Sequence, residues 1–211
     1  MKYRNLIFDL DGTLWDSRFS IIQNWNQILI KYKVIQKELT VDDMTPFMGL
    51  LAKDVLKSLN PDLPDISIQK ILDEIQENEA ISIQKHGGIL YENVENVLME
   101  LAKTRNIYIV SNCQSRYIEA FLDYFGFENL VKDFESHGNT GLTKAENIRE
   151  LLNRNNLNFK DSVYIGDTQT DFDAARFNGL DFIFCEYGFG EIKSDENARI
   201  SAFDDLKGLI D

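Results

Sequence analysis

Apolar positions along this chain fall into two rhythms. Residues 6–8, 107–110, 163–165 and 182–185 are short continuous apolar runs, and they predict buried strands. Residues 131–134, interrupted by Lys132 and Asp133, form a less apolar candidate of the same kind. Between these runs the spacing changes. Val94, Val97, Leu98 and Leu101 recur at helical intervals, as do Ile118, Phe121, Leu122 and Phe125, after which Gly126 supplies a stop. Strands alternating with helices predict an α/β fold: a Rossmann-like parallel sheet with helices on both faces.

Residues 16–86 break that alternation. Ile21, Trp25, Ile28, Leu29 and Tyr32 make a helical stripe. Met48, Leu51, Val55 and Leu59 make another, and Ile68, Ile71, Leu72 and Ile75 a third. Pro61 and Pro64 separate the last two. No apolar run of strand type lies among them. The expected organisation is an α/β core from residues 1–15 and 87–211, with a helical bundle, residues 16–86, inserted after the first strand. His86-Gly87-Gly88 is the expected hinge.

Charge narrows the partners. The 211 residues carry a formal charge of −13. Residues 16–86 account for only −3 of it, so the acid concentrates on the sheet. A surface this negative repels nucleic acid and anionic membranes. The first apolar run ends at Asp9, too soon for an export signal, and no stretch reaches the length of a membrane span. Cys113 and Cys185 form no close pair, which fits reduced thiols in the cytoplasm. A Cys113 nucleophile paired with His86 or His137 is an alternative, against which stands the usual role of cysteine as a small buried residue. The expected oligomeric state is a monomer or weak homodimer.

Ligands of an open parallel sheet bind beyond the carboxyl ends of its strands. Here those ends carry Asp9 and Asp11, then Ser111 and Asn112, then Asp167 with Asp171 four residues on. Crowded carboxylates require a counter-cation. Asp9 and Asp167 on neighbouring strand ends suit Mg²⁺. Gly12 permits a tight turn and lets its amide approach an anion. Thr143-Lys144-Ala145-Glu146 has capping-box form, so Lys144 opens a helix and adds positive charge. Ser111 offers a hydroxyl donor. Together these parts predict phosphate-ester chemistry: Asp9 as nucleophile, Asp11 as proton donor and acceptor, and Lys144, Ser111, Asn112 and Gly12 around the phosphate. Asp171 also has the position of an N-cap for the helix that follows.

"FDLDGTL" at 8–14, "IVSN" at 109–112, "TGLTKAENI" at 140–148 and "YIGDTQTD" at 164–171 resemble, in order, the four signatures of the haloacid dehalogenase superfamily. The helical insert resembles that superfamily's first-type cap, on the branch of phosphoglycolate phosphatases and β-phosphoglucomutases. The resemblance implies a nucleophilic Asp9 and an acid/base Asp11. It places Mg²⁺ on Asp9, the Asp11 carbonyl and Asp167, with Asp171 supporting them. It implies substrate contacts in the cap near Phe47 and Gly49, and Trp15 is a further candidate, although aromatics at its spacing more often serve hinge or core. The expected substrate is a small phosphorylated metabolite. A phosphomutase is the alternative, and a phosphonatase or a non-catalytic phosphate-binding module are lesser ones. Asp11 argues against a dehalogenase, whose halide leaves without a proton. A phosphonatase needs a cap lysine where this chain has Ala52, with Lys53 one position away.

Overall fold

The computed structural model describes residues 2–193 and 198–210. Its strands are β1 (Asn5–Phe8), β2 (Trp15–Asp16), β3 (Ile89–Leu90), β4 (Asn106–Ser111), β5 (Val131–Ser136), β6 (Ser162–Gly166), β7 (Asp181–Cys185) and β8 (Ala198–Ile200). Six of them form one sheet in the order β5-β4-β1-β6-β7-β8, with every neighbouring pair parallel. Each of the five apolar runs lies inside one of these strands. β1 occupies the centre, where Phe8 pairs with Ile109 on one side and Ile165 on the other. The chain winds outward from β1 through β4 and β5, then returns to wind the other way through β6, β7 and β8. The topological switch therefore falls between β1 and β6, where the crevice of a doubly wound sheet opens.

Alternation along β1 divides the core. Leu6 and Phe8 point into one apolar cluster and Ile7 into the other. The cluster around Ile7 is covered by α8 (Lys144–Arg154) and α9 (Gln169–Phe177), with Ile148, Leu151, Ala174 and Ala175 buried. The cluster around Leu6 and Phe8 is covered by α5 (Val94–Leu101), α6 (Tyr117–Phe125) and α10 (Leu206–Ile210), and it continues into the inserted helices. A short α7 (His137–Thr140) follows β5.

The insert comprises α1 (Arg18–Lys31), α2 (Val41–Met44), a 3-10 turn at Thr45–Phe47, α3 (Ala52–Leu59) and α4 (Asp65–His86). The stripe predicted from Met48 to Leu59 is helical only from Ala52. Gly49 at φ +78° interrupts it, so Met48 and Leu51 lie in the preceding loop. Pro64 takes the N-cap of α4, and Gly87, at φ +61°, ends that helix.

The chain leaves and re-enters the sheet region through β2 and β3, which pair antiparallel as a ribbon of their own. Periodicity does not show it, because a two-residue strand has no period. Gly88 passes so close to Trp15 that a Cβ there would sit 2.6 Å from the indole ring.

Candidate active site

The C-terminal ends of β1, β4 and β6 and the N-terminal end of α8 bring Asp9, Ser111, Asp167 and Lys144 together, all buried. The Asp9 amide donates to the Ile165 carbonyl at 2.8 Å, extending the ladder one residue past Phe8. This fixes the Asp9 side chain at the strand end. Lys144 is placed by the first turn of α8. Thr143 and Glu146 form the capping box that starts this helix, and Lys144 Nζ then reaches Asp9 Oδ1 at 2.8 Å and Asp171 Oδ1 at 2.6 Å. A cation at a helix N-terminus opposes the macrodipole. Here two buried carboxylates hold it, and they raise its pKa despite burial.

Carboxylates outnumber that cation. Oxygens of Asp9, Asp167 and Asp171 lie within 4.8 Å of one another. Burial, then the charge of Asp171, pushes Asp9 well above the ordinary carboxylate range, while Lys144 pulls it back. The same two causes lift Asp167 to about 7. A group of acids kept this dry beside one ammonium is a hard, oxygen-rich donor set that a divalent cation fits. Asp171 belongs to the group by distance, yet both its oxygens are engaged. Oδ2 accepts from the Asp167 amide, the Thr168 amide and Thr168 Oγ1, and Oδ1 from Lys144. Its location differs from the predicted N-cap. Thr168 is the N-cap and Asp171 the third residue of α9, closing a reciprocal capping box. The box leaves Asp171 pointing back at Lys144, which an N-cap side chain occupied with its own helix would not do.

Asp11 has a different environment. Its Oδ1 accepts from Trp15 Nε1 at 3.0 Å, from Tyr117 Oη at 2.7 Å and from Ser17 Oγ. Burial raises its pKa, and these three donors oppose the rise. Burial also holds the Tyr117 phenol well above its usual value, so it stays a donor. Trp15 is fully buried against Tyr117, Phe121 and Phe125. It holds Asp11 instead of lining the cavity. Phe19, four residues on from Trp15, is largely exposed.

Gly12 adopts φ +86°, and a Cβ there would stand 2.2 Å from Asp167 Oδ2. Only glycine fits. Sequence reading missed the loop after β7. The Phe189 amide donates to Asp167 Oδ2 at 2.7 Å, and Gly188 and Gly190 pass against Asp167 with no room for a Cβ. The Gly-Phe-Gly pattern at another strand end was the available signal.

A cavity of about 70 Å³ opens onto these groups. Asp9, Asp11, Ser111, Asn112 and Lys144 line it from the sheet side. Phe47, Met48, Gly49 and Leu50 approach from the inserted helices, as do Ile21, Trp25 and Glu79. Asn112 ties the two sides, its Nδ2 donating to the Gly49 carbonyl at 2.9 Å. That bond uses the side-chain donor of Asn112. Ala52 lines the cavity while Lys53 is exposed, so no cap lysine is placed for Schiff-base chemistry. The Cys113 thiol is driven up by burial and stays protonated, which disfavours it as a nucleophile. His137 bonds through Nδ1 to the Leu142 carbonyl.

Comparison with known proteins agrees with this geometry. A family model described as haloacid dehalogenase-like hydrolase matches residues 6–185. A phosphoglycolate phosphatase of Vibrio cholerae is 27% identical over 227 residues, covering 100% of this chain and 96% of the relative. A 5'-nucleotidase of Pseudomonas aeruginosa is 28% identical over 203 residues, covering 90% and 86%. Among solved structures, one described as a predicted phosphatase from Clostridium acetobutylicum superposes with a TM-score of 0.86 at 22% identity, covering 100% of this chain and 99% of the other.

Proposed function

Since the chain belongs to the haloacid dehalogenase-like hydrolase family, we propose that it is a Mg²⁺-dependent phosphatase of small phosphorylated metabolites, working through an aspartyl-phosphate. The observation that carries this reading is the pairing of two differently held acids. Asp9 is salt-bridged to buried Lys144, whereas Asp11 is held by three neutral donors and raised by burial. Acids whose surroundings differ in this way take different roles.

Asp9 is the nucleophile. Its free oxygen bonds to phosphorus as the ester oxygen departs. Asp11, protonated, delivers its proton to that departing oxygen and releases the alcohol. It then takes a proton from the water that attacks the aspartyl-phosphate, which frees inorganic phosphate and restores Asp9. Lys144 and the Ser111 hydroxyl face the cavity and counter the charge on the transferring group. Gly12 and the loop through Phe189 keep Asp167 oriented. Asp9 and Asp167 would hold Mg²⁺, which when bound supplies positive charge for the phosphate oxygens.

Phosphate release from a chromogenic monoester tests the reading. The expected results are activity that disappears in Asp9→Asn and a loss of roughly 10²–10⁴-fold in Asp11→Asn. Comparable turnover by Asp9→Asn would remove the nucleophile assigned here. Mg²⁺ dependence is read in the same assay after chelation and re-addition.

A further inference from the structure

Glu79, in α4, lies in the cavity wall and has no part in the chemistry above. It is only 4% exposed and accepts one hydrogen bond, from Trp25 Nε1 at 3.1 Å. Among the described residues it has no ion pair. Buried acids without a counter-charge are uncommon, because the charged form is strongly disfavoured there. Burial accordingly raises Glu79 to about 8.

The rest of the wall sharpens the question. Lys144 is the one cationic side chain among the described residues lining the cavity, and it already spans Asp9 and Asp171. The inserted helices add Ile21, Trp25, Met44 and Val55, which bring apolar surface. Asn112 contributes one more polar atom. With Nδ2 spent on Gly49, its Oδ1 is buried and has no donor. Away from the phosphate, the polar lining therefore includes an acid, Glu79, the unpaired Asn112 carbonyl and the Gln114 amide, none of them cationic, in apolar surroundings.

We propose that the alcohol half of the substrate is uncharged and carries a further hydroxyl or N–H group, which Glu79 and Asn112 receive. This deepens the phosphatase reading and rests on it. A hydroxyl satisfies the site, donating to Asn112 Oδ1 or to a Glu79 oxygen and accepting from the Glu79 proton. A carboxylate does not. It has no hydrogen for Asn112 Oδ1, meets no free cation, and places a second acid beside Glu79 in a dry pocket. Several relatives are named phosphoglycolate phosphatases, and phosphoglycolate carries such a carboxylate. On this chemistry they are a poor guide to what this chain prefers, because the discrimination lies in Glu79 and the Asn112 side chain and not in Asp9, Lys144 or Ser111.

A matched pair of esters isolates the difference. 2-Hydroxyethyl phosphate and phosphoglycolate share their length and their phosphate, and differ by CH₂OH against COO⁻. The expected kcat/KM favours the hydroxyl ester by at least about tenfold in the wild-type protein. Glu79→Gln keeps an acceptor for Trp25 and adds an N–H₂ donor toward the ligand. It is expected to narrow the ratio at least about fivefold, mainly by raising turnover of phosphoglycolate. Equal or faster wild-type turnover of phosphoglycolate overturns the proposal, and so does a ratio unmoved in a folded Glu79→Gln. The wild-type ratio needs no variant, so it decides even if the variant does not fold. Hydrolysis of p-nitrophenyl phosphate, with Asp9→Asn as control, tests the phosphatase reading separately. If that ester is not cleaved, calorimetric binding of the same pair to the wild-type protein supplies the ratio, with the same tenfold preference expected and parity overturning it.

Discussion

At the scale of single residues, the site depends on how each acid is surrounded. Asp11 keeps three donors on one oxygen, and Tyr117 is the only one of them that comes from α6. Removing its hydroxyl strips a donor that favours the ionised acid. The pKa of Asp11, already raised, then rises further. Tyr117→Phe is expected to lower kcat about tenfold and to move the acidic limb of the kcat–pH profile upward, because ionised Asp11 is the base of the second step. A profile that stays in place would show that Tyr117 only packs. Glu79 makes a prediction about stability. Its folded pKa, about 8, lies above the ordinary glutamate value of 4.5. Between those values the folded protein keeps a proton that the unfolded chain has released. Stability from this group is therefore greatest below about 4.5, falls as pH rises toward about 8, and is level beyond. A shift of this size corresponds to a few kcal/mol at most. Urea midpoints of wild type minus Glu79→Gln, followed from pH 5 to 9, should show that decline. A flat difference would mean that Glu79 is ionised and solvated in the folded state.

At the scale of elements, two capping boxes aim the catalytic side chains. Thr143 starts α8 and so places Lys144; Thr168 starts α9 and so turns Asp171 toward Lys144. Thr168→Ala removes the cap and one donor to Asp171, and is expected to cost about 1–2 kcal/mol by chemical denaturation. Activity should fall with it, since Lys144 then faces a less anchored partner. Stability lost with kcat unchanged would separate the cap from the site. These boxes also show what the sequence made legible. Thr143-x-x-Glu146 was read from its spacing, and Lys144 lies where that spacing put it. Thr168-x-x-Asp171 has the same form, but the acid drew the N-cap assignment because Asp is itself a favoured cap. The sheet strands were legible because buried parallel strands are continuous apolar runs. The β2–β3 ribbon was too short for any period. Glu79 follows Gln76, Glu77 and Asn78 and so reads as one of a polar run, yet it stands four residues from both Ile75 and Ile83 on the buried stripe of α4. Tyr117 lies at the start of an apolar helix and reads as core until its hydroxyl is seen on Asp11.

At the scale of the molecule, the inserted helices and the sheet share one apolar cluster. It runs from Leu6 and Phe8 through Phe121 and Trp15 to Ile83, Ile75, Trp25 and Leu56. α4 packs along both α1 and α6. A cap joined to its core only by a hinge would melt by itself, and its helices would report a separate transition. Shared burial couples the two regions instead, because unfolding α4 strips cover from Ile83 and from the aromatic group on α6. Tryptophan fluorescence and far-UV circular dichroism should therefore give one coincident urea transition. Trp25 lies on α1 and Trp15 in the ribbon, so fluorescence samples both regions. Ile83 is fully buried, and Ile83→Ala should lower both curves together by about 2–5 kcal/mol. An early loss of helix signal with the sheet intact would show that the insert is an independent unit. The result bears on specificity as well as folding. Glu79 is carried by α4 and the catalytic acids by the sheet, so the cavity between them is preformed only to the extent that this common core holds the two together.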